Sequence, residues 1–352
     1  MARSSHPAHD LHEGLHRFED AATGLRGVIA IHSTALGPAA GGCRLWAYPN
    51  PQMMMNDALR LAQGMSFKNA LAGLPLGGGK AVIQRPAGDF DRRRLFAAFG
   101  RAVQSLGGDY VTAEDVGTGV ADMEAVRGET RFVAGLPPQG GRPGGDPSPW
   151  TALGVKLAIE AALKWRHGRG LDGATVAVQG LGAVGRDLCR RLHAEGARLV
   201  VADLDEARVA QVARLYGARA VAPDAIHAVP ADVFAPCALG GGLGERVVEG
   251  LGSAIVCGAA NNQLASVHDA RRLLERGVTY CPDYVVNAGG IINVAAEYLG
   301  QGVAEVEAAV AAIPGRLQQI LARADHERLP AVTVADQLAR QTIADAGRRN
   351  AA

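Results

Sequence analysis

Residues Ala174–Asp205 read ATVAVQGLGAVGRDLCRRLHAEGARLVVADLD. An apolar run, Thr175–Gln179, meets Gly180, Gly182 and Gly185 in G-x-G-x-x-G spacing, and a helical pattern, Val184–Ala194, follows at once. Each glycine answers a separate steric demand: a tight turn at Gly180, backbone close to a ligand at Gly182, and close helix–strand packing at Gly185. The helix start offers free N–H groups and a positive dipole end to an anionic phosphate. A second strand, Arg198–Ala202, ends in Asp203, 18 residues beyond Gly185. An acid so placed accepts from the ribose hydroxyls of a dinucleotide and repels a 2′-phosphate, which favours NAD over NADP. Asp205 is a second acid for the same role. Gly180, Leu181, Gly182, Ala183, Val184, Gly185 and Asp203 are therefore the candidate cofactor loop. The bland alternative is a plain strand–turn–helix with an N-cap Asp.

Working outward, the same alternation continues to a strand at Ala254–Cys257. Upstream, strands are expected at Val28–His32, Ala81–Gln84 and Tyr110–Thr112, with helices at Asn56–Leu71 and Arg92–Leu106. Between the two series lies AGLPPQGGRPGGDPS (Ala134–Ser148), in which nine of 15 residues are Pro or Gly, so no regular element fits and a domain boundary does. Ser148 is an expected N-cap, with Pro149 at the first helical position. The tail, Val303–Arg349, is helical with breaks at Pro314 and Pro330. The fold class is α/β, with a mainly parallel sheet in the second half.

The 352 residues include 46 glycines but only 17 prolines, with no G-x-y period; 48% are hydrophobic and 20% charged, which excludes collagen-like and disordered classes. A net charge of +1 with scattered basic clusters gives no footprint for nucleic acid or an anionic membrane. Five widely spaced cysteines without C-x-x-C point to reduced buried thiols rather than zinc or disulfides. The first 20 residues lack the apolar core of a secretory signal, and no apolar run reaches ~18 residues, so a cytoplasmic protein is expected. His6, His9, His12 and His16 have spacings compatible with one helix face, a weak metal signal with few carboxylate partners. No metal site is expected.

Basic residues here are mainly Arg, yet Lys68 sits in GMSFKNA and Lys80 ends LPLGGGK, which reads as a triple-glycine turn feeding a strand. Lysine shifts its pKa readily when desolvated and arginine does not deprotonate, so lysines in such settings suggest chemistry as well as surface charge. Asp115, in TAEDVGTG, follows a short strand at its carboxyl end, where α/β ligands gather. Glu114 is the competing carboxylate, and an N-cap or Asx-turn is the bland reading of Asp115.

With these motifs assembled, the sequence resembles the glutamate/leucine/phenylalanine/valine dehydrogenases from roughly Phe18 to Ala346. The resemblance rests on LGPAAGGCR (Leu36–Arg44), GMSFKNALAGLPLGGGKAVI (Gly64–Ile83), TAEDVGT (Thr112–Thr118), VQGLGAVG (Val178–Gly185), APCALGG (Ala235–Gly241), GAANNQL (Gly258–Leu264) and CPDYVVNAGG (Cys281–Gly290). It implies reversible oxidative deamination of an L-amino acid by NAD and water, giving a 2-oxo acid, ammonium and NADH. It implies a substrate-binding and oligomerisation domain at residues 1–140, with C-terminal helices (about 328–352) packing back on it. Residues 141–327 form the implied Rossmann domain, with the active site in the cleft, and a homo-oligomer is implied. By the same resemblance Lys80 and Asp115 are catalytic, and Lys68, Gly41 and Gly42 hold the substrate carboxylate. Thr151 and Asn261 match positions that hold the nicotinamide carboxamide and the substrate amino group, and Asn287, in the loop that lines the cleft, joins the cofactor-binding set. Ala40, Met65, Ala113, Ile291 and Val294 join the substrate-binding set.

Chemistry explains the residue types. Hydride loss from Cα leaves an iminium; a neutral Lys80 takes a proton from attacking water, and Asp115 passes protons to the departing amine. A cationic Lys68 nearby is expected to lower the Lys80 pKa. Glutamate needs a cation for its distal carboxylate. Glutamate dehydrogenases carry a lysine where this chain has Ala40, and Ala113, Ile291 and Val294 are apolar, so glutamate is excluded. Ala113, TAEDVGT and PDYVVNAGG look leucine- or valine-like, whereas Ala40 leaves room for phenylalanine. Leucine and other branched-chain substrates are expected, with phenylalanine as the alternative. Cys43 stands where the family more often has Thr. A catalytically silent NAD-binding sensor or scaffold is the alternative of another class.

Overall fold

The computed structural model describes residues 12–138, 140–238 and 240–351. The chain divides into two units. Unit 1 holds the described residues of Met1–Asp146, Asn293–Val306 and Ala339–Ala352; unit 2 holds Pro147–Ile292 and Glu307–Leu338.

Unit 1 begins with β1 (Gly14–Asp20), β2 (Leu25–Ser33), β3 (Ala39–Trp46), α1 (Pro51–Ala72), β4 (Gly77–Gln84), α2 (Arg92–Gln104), β5 (Tyr110–Glu114) and α3 (Val120–Arg127). Its sheet has the order β1-β2-β4-β3-β5. β1–β2 and β2–β4 are antiparallel, and β3 runs parallel to both β4 and β5. Alternation along β2 and β4 supplies two cores. Val28, Ala30 and Val82 pack with Met54, Met55, Ala58 and Leu59 of α1. Ile29, Ala81 and Ile83 pack with Phe96 and Phe99 of α2. α1 starts five residues before its expected beginning because Asn50 caps it, accepting from Met53 N–H at 2.9 Å, and Pro51 stands at its first position. Gly73, in left-handed conformation at φ 69°, ends it.

Three expectations need correction. Gly77–Gly79 is no turn but the start of β4. A Cβ on Gly78 would lie 2.0 Å from Ser66 N, so α1 crosses the strand at backbone distance. β1 and β3, too polar or too glycine-rich to show an apolar run, were not expected at all. The N-terminal histidines share no helix face where the structure describes them: His16 lies in β1, and His12 Nε2 is 3.0 Å from Leu59 O. His6 and His9 lie outside the described residues.

Unit 2 contains α4 (Ser148–His167), β6 (Thr175–Gln179), α5 (Ala183–Ala194), β7 (Arg198–Ala202), α6 (Glu206–Tyr216), β8 (Arg219–Ala220), β9 (Ala231–Pro236), α7 (Glu245–Gly250), β10 (Ser253–Val256), α8 (Val267–Glu275), β11 (Thr279–Tyr280) and α9 (Asp283–Val286). Its all-parallel sheet runs β11-β10-β9-β6-β7-β8. Numbered from its first strand this is the 3-2-1-4-5-6 order of a Rossmann sheet, whose order reverses between β6 and β9. Ser148 is the first helical residue of α4, and Pro147 takes the N-cap position expected for it.

The chain closes with α10 (Gly289–Leu299), α11 (Val303–Ala311), α12 (Ile313–Glu327) and α13 (Ala331–Ala351). The dividing points fall inside α10, α11 and α13. The part of the tail grouped with unit 1 therefore starts at Ala339 rather than near 328, and Asn293–Val306 joins it. Val332 packs on the unit 2 core, whereas Arg340 lies over Phe67 at 4.9 Å and Asn350 donates to Ala35 O at 2.8 Å. No helix among the described residues is long and apolar enough to cross a membrane. All five cysteines are free; Cys43, Cys189, Cys257 and Cys281 are buried and Cys237 is half-buried.

Candidate active site

In unit 1, β4 puts Lys80 opposite Ala30 of β2, in the same alternation as Gly78 and Val82 on the α1 side. Lys80 is buried, at 5% exposure, and a buried ammonium requires a partner. Its Nζ lies 2.7 Å from Asp115 Oδ2. The same oxygen accepts from Arg44 Nε at 3.2 Å. Arg44 also reaches Asp57 Oδ2 at 2.9 Å, where Tyr48 Oη donates at 2.6 Å. Burial works against the charge on Asp115, but Lys80 and then Arg44 outweigh it and hold the carboxyl below its ordinary value. The loop is fixed locally: Asp115 N–H donates to Thr118 Oγ1 at 2.8 Å, and that hydroxyl lies 2.9 Å from Cys43 O.

The structure separates the two neighbouring carboxylates. Glu114 is pushed up by burial and then by Asp146, Asp122 and Glu297, and forms no ion pair among the described residues. Asp115 alone of the pair meets the cations. Arg44 was quoted within a motif but not as a site residue; its acidic partners stand 13 and 71 positions away in sequence.

Gly41 and Gly42 lie in β3. A Cβ on Gly41 would come within 1.9 Å of Gly79 O and 3.0 Å of the Met65 side chain; one on Gly42 would meet Glu114 O at 2.5 Å. Met65 and Lys68 are three apart on α1 and so share a helix stripe. Asn69, fully buried, donates to Gly77 O at 2.6 Å and ties α1 to the start of β4. Ala40 and Ala113, both buried, stand on the adjacent strands β3 and β5.

In unit 2, Gly180 has φ +94°, which only glycine adopts readily, and its N–H donates to Ala202 O at 2.8 Å. A Cβ on Gly185 would stand 1.9 Å from Gly180 O, whereas one on Gly182 would meet nothing within 4 Å. Close packing and open approach therefore fall where the spacing put them. Leu181 is buried, and Ala183 and Val184 open α5. Asp203 accepts from Leu181 N–H and from Asp205 N–H at 2.8 Å. Burial opposes its charge, and those backbone bonds and Arg208 hold its carboxyl below the ordinary value. Asp205 is occupied as the N-cap of α6, accepting from Ala207 and Arg208 N–H.

A second cluster lies after β10. Asn287 Nδ2 donates to Asn261 Oδ1 at 2.8 Å and to Ala259 O at 3.0 Å, while its own buried Oδ1 has no partner among the described residues. Gln263, unremarked in the sequence, clamps this loop by donating to Gly258 O at 2.8 Å and Ala260 O at 3.0 Å. Asn262 takes a left-handed φ of 52° beside Asn261. Thr151, in the first turn of α4, has its hydroxyl 2.7 Å from the place of a Cβ on Gly290. Ile291 belongs to unit 2 and Val294 to unit 1, both on α10.

Two family models cover most of the chain. The glutamate/leucine/phenylalanine/valine dehydrogenase dimerisation domain matches residues 12–132, and the glutamate/leucine/phenylalanine/valine dehydrogenase model matches 144–207 and 201–348. Leucine dehydrogenase of Bacillus subtilis is 45% identical over 326 residues, 92% of this chain and 89% of that one. Valine dehydrogenase of Streptomyces albus is 44% identical over 342 residues, 96% and 94% of the two chains. Among solved structures, L-tryptophan dehydrogenase from Nostoc punctiforme superposes with a TM-score of 0.85 at 39% identity, covering 96% of this chain and 97% of that one. A buried lysine paired with an aspartate in one unit, a dinucleotide-type sheet in the other and likeness along nearly the whole length lead to one conclusion: the chain belongs to the glutamate/leucine/phenylalanine/valine dehydrogenase family and is an amino-acid dehydrogenase.

Proposed function

We propose that the protein catalyses the NAD-dependent, reversible oxidative deamination of an apolar L-amino acid, leucine and other branched-chain amino acids first. The observation that carries this reading is the pair of buried Lys80 with half-buried Asp115 at 2.7 Å, in a chain that also holds the fingerprint loop. Lys68 and the backbone of Gly41 and Gly42 hold the substrate carboxylate. Lys80, in its neutral form, takes a proton from water as the oxygen attacks the substrate iminium carbon. Asp115, held ionised by Arg44 while Lys80 is neutral, relays protons to the amine so that it leaves as ammonia.

The residues of unit 2 fit NAD. Gly182 is open to a pyrophosphate at the start of α5, and the unpartnered Asn287 Oδ1 suits the N–H of a carboxamide. Thr151 and Asn261 would serve the same end, and Asp203 would accept from the ribose hydroxyls. When bound, NAD supplies the hydride acceptor. Unit 1 would serve substrate binding and oligomer contacts, which the description of its family model as a dimerisation domain supports. A homo-oligomer in the cytoplasm is the setting we infer.

In this reading Ala40, Met65, Ala113, Ile291 and Val294 offer the substrate side chain only apolar, uncharged groups. That disfavours glutamate. Apolar pockets discriminate a methylene by only ~1–3 kcal/mol, so leucine, valine, isoleucine and methionine overlap as substrates. The small Ala40 favours phenylalanine as the second reading. Absorbance at 340 nm with a panel of L-amino acids tests both. Leucine ranking first in kcat/KM is expected; phenylalanine first would replace it, and no NADH with any amino acid would overturn the function.

A further inference from the structure

The ladder between β3 and β4 opens beside Lys80. Ala39 and Ala40 pair with Gly77 and Gly78, and Cys43–Trp46 pair with Ala81–Gln84, but Gly41 and Gly42 have no partners in Gly79 and Lys80. On the other side the same two glycines pair regularly with Thr112 and Ala113 of β5. Where two parallel strands of a buried sheet skip ladder pairs, N–H and C=O groups need other partners. One side chain supplies them. Tyr110, fully buried at the start of β5, donates its hydroxyl hydrogen to Gly41 O at 2.5 Å and accepts from Ala81 N–H at 3.1 Å. Gly42 O lies 3.3 Å from the same oxygen. The ring lies against Gly79, where a Cβ would come within 2.9 Å of it.

We propose that Tyr110 is a positioning residue: its hydroxyl stands in for the missing ladder bonds and thereby fixes Lys80 against Asp115 and the backbone of Gly41 and Gly42 toward the substrate carboxylate. The inference rests on the dehydrogenase reading above. Gly79 and Ala81 are the two residues that flank Lys80, and Tyr110 touches both. The ring alone would fill the same space, as Phe96 and Phe99 do in the same core, so packing does not account for the hydroxyl. Without it Gly41 O and Ala81 N–H are buried and unpaired. Their relief is to shift one strand along the other, which moves the backbone that carries Lys80.

The test is Tyr110→Phe in the whole enzyme. Expected is a fall in kcat of roughly tenfold to a hundredfold, the scale of a misplacement near 1 Å. The acid limb of the pH profile shifts, while the Kd for NADH stays within about twofold. Unchanged kcat and pH profile with only a lowered Tm would overturn the proposal. If Tyr110→Phe does not fold, 3,5-difluorotyrosine placed at 110 keeps the donor and the shape but weakens acceptance from Ala81 N–H. A kcat about threefold lower with a moved pH limb is expected there, on the scale of one weakened hydrogen bond. Wild-type values in that enzyme overturn the proposal. A wild-type protein that forms no NADH with any L-amino acid would overturn the functional reading and this inference together, an outcome distinct from normal wild-type turnover with an unaffected variant.

Discussion

The candidate site residues of unit 1 are paired side-chain charges, whereas those of unit 2 act through backbone. Lys80, Asp115, Arg44 and Asp57 form one continuous ionic chain. The fingerprint loop instead offers the N–H groups at the head of α5 and the open approach at Gly182. A charge network fails when one member is removed, because the others stay buried without a partner. A backbone cradle survives most side-chain deletions.

Lys80→Ala is expected to break the comparison most sharply. Turnover falls by at least about a thousandfold, in the upper range for general acid–base groups, while NADH titration of the same variant is unchanged. Near-normal turnover would remove Lys80 from the chemistry, and a parallel loss of NADH affinity would remove the division of labour. Arg44→Gln comes next, with kcat reduced roughly tenfold to a hundredfold. Arg44 helps hold the Asp115 carboxyl low, so its loss raises that carboxyl and moves the acid limb of the rate profile to higher pH. An unmoved limb would disconnect Arg44 from Asp115.

Asp203→Ser sharpens the other side. NADH binding weakens about tenfold and NADPH binding improves relative to it, with kcat at saturating NADH little changed, as loss of one charged hydrogen-bond acceptor dictates. Fluorescence titration with both nucleotides checks this. The smallest effect concerns stability. Burial first, then His12 and Arg340, against an opposing Glu13, lower the His32 imidazole from its ordinary 6.5 to about 4. Nδ1 also contacts Ser66 Oγ at 2.8 Å. The unfolded chain then takes up a proton near pH 6.5 that the folded one refuses until about pH 4, so stability drains as pH falls through that window. His32→Asn should flatten this part of a urea-midpoint profile, and an equal slope in both proteins would show that another group sets it.

The same contrast explains what the sequence revealed. In unit 2 the information is local: the glycine spacing, the second strand and Asp203 all lie within Ala174–Asp205, and their geometry followed. In unit 1 the decisive contacts are long-range. Gly77–Gly79 read as a turn because nothing nearby announces that Ser66 and Tyr110 need the space a Cβ would occupy. β3 hid behind its glycines. Lys80 and Asp115 stood out by residue type and motif, but Arg44 is one arginine among many until Asp115, 71 residues on, is folded against it. Gln263 and Tyr110 carry no motif chemistry of their own, and only the backbone groups they satisfy give them away.

The buried cysteines turn the two units into separate chemical clocks. Burial pushes the thiols of Cys43, Cys189 and Cys257 well up and that of Cys237 to about 11, so few thiolates exist near neutrality for an alkylating reagent to attack. Modification of the four buried cysteines must wait for opening. Cys43 is the cysteine of unit 1, and the other four belong to unit 2. Mass spectrometry of timed alkylation would thus read the lifetime of each unit from one sample, with the Cys43 peptide labelled on its own schedule if unit 1 opens alone.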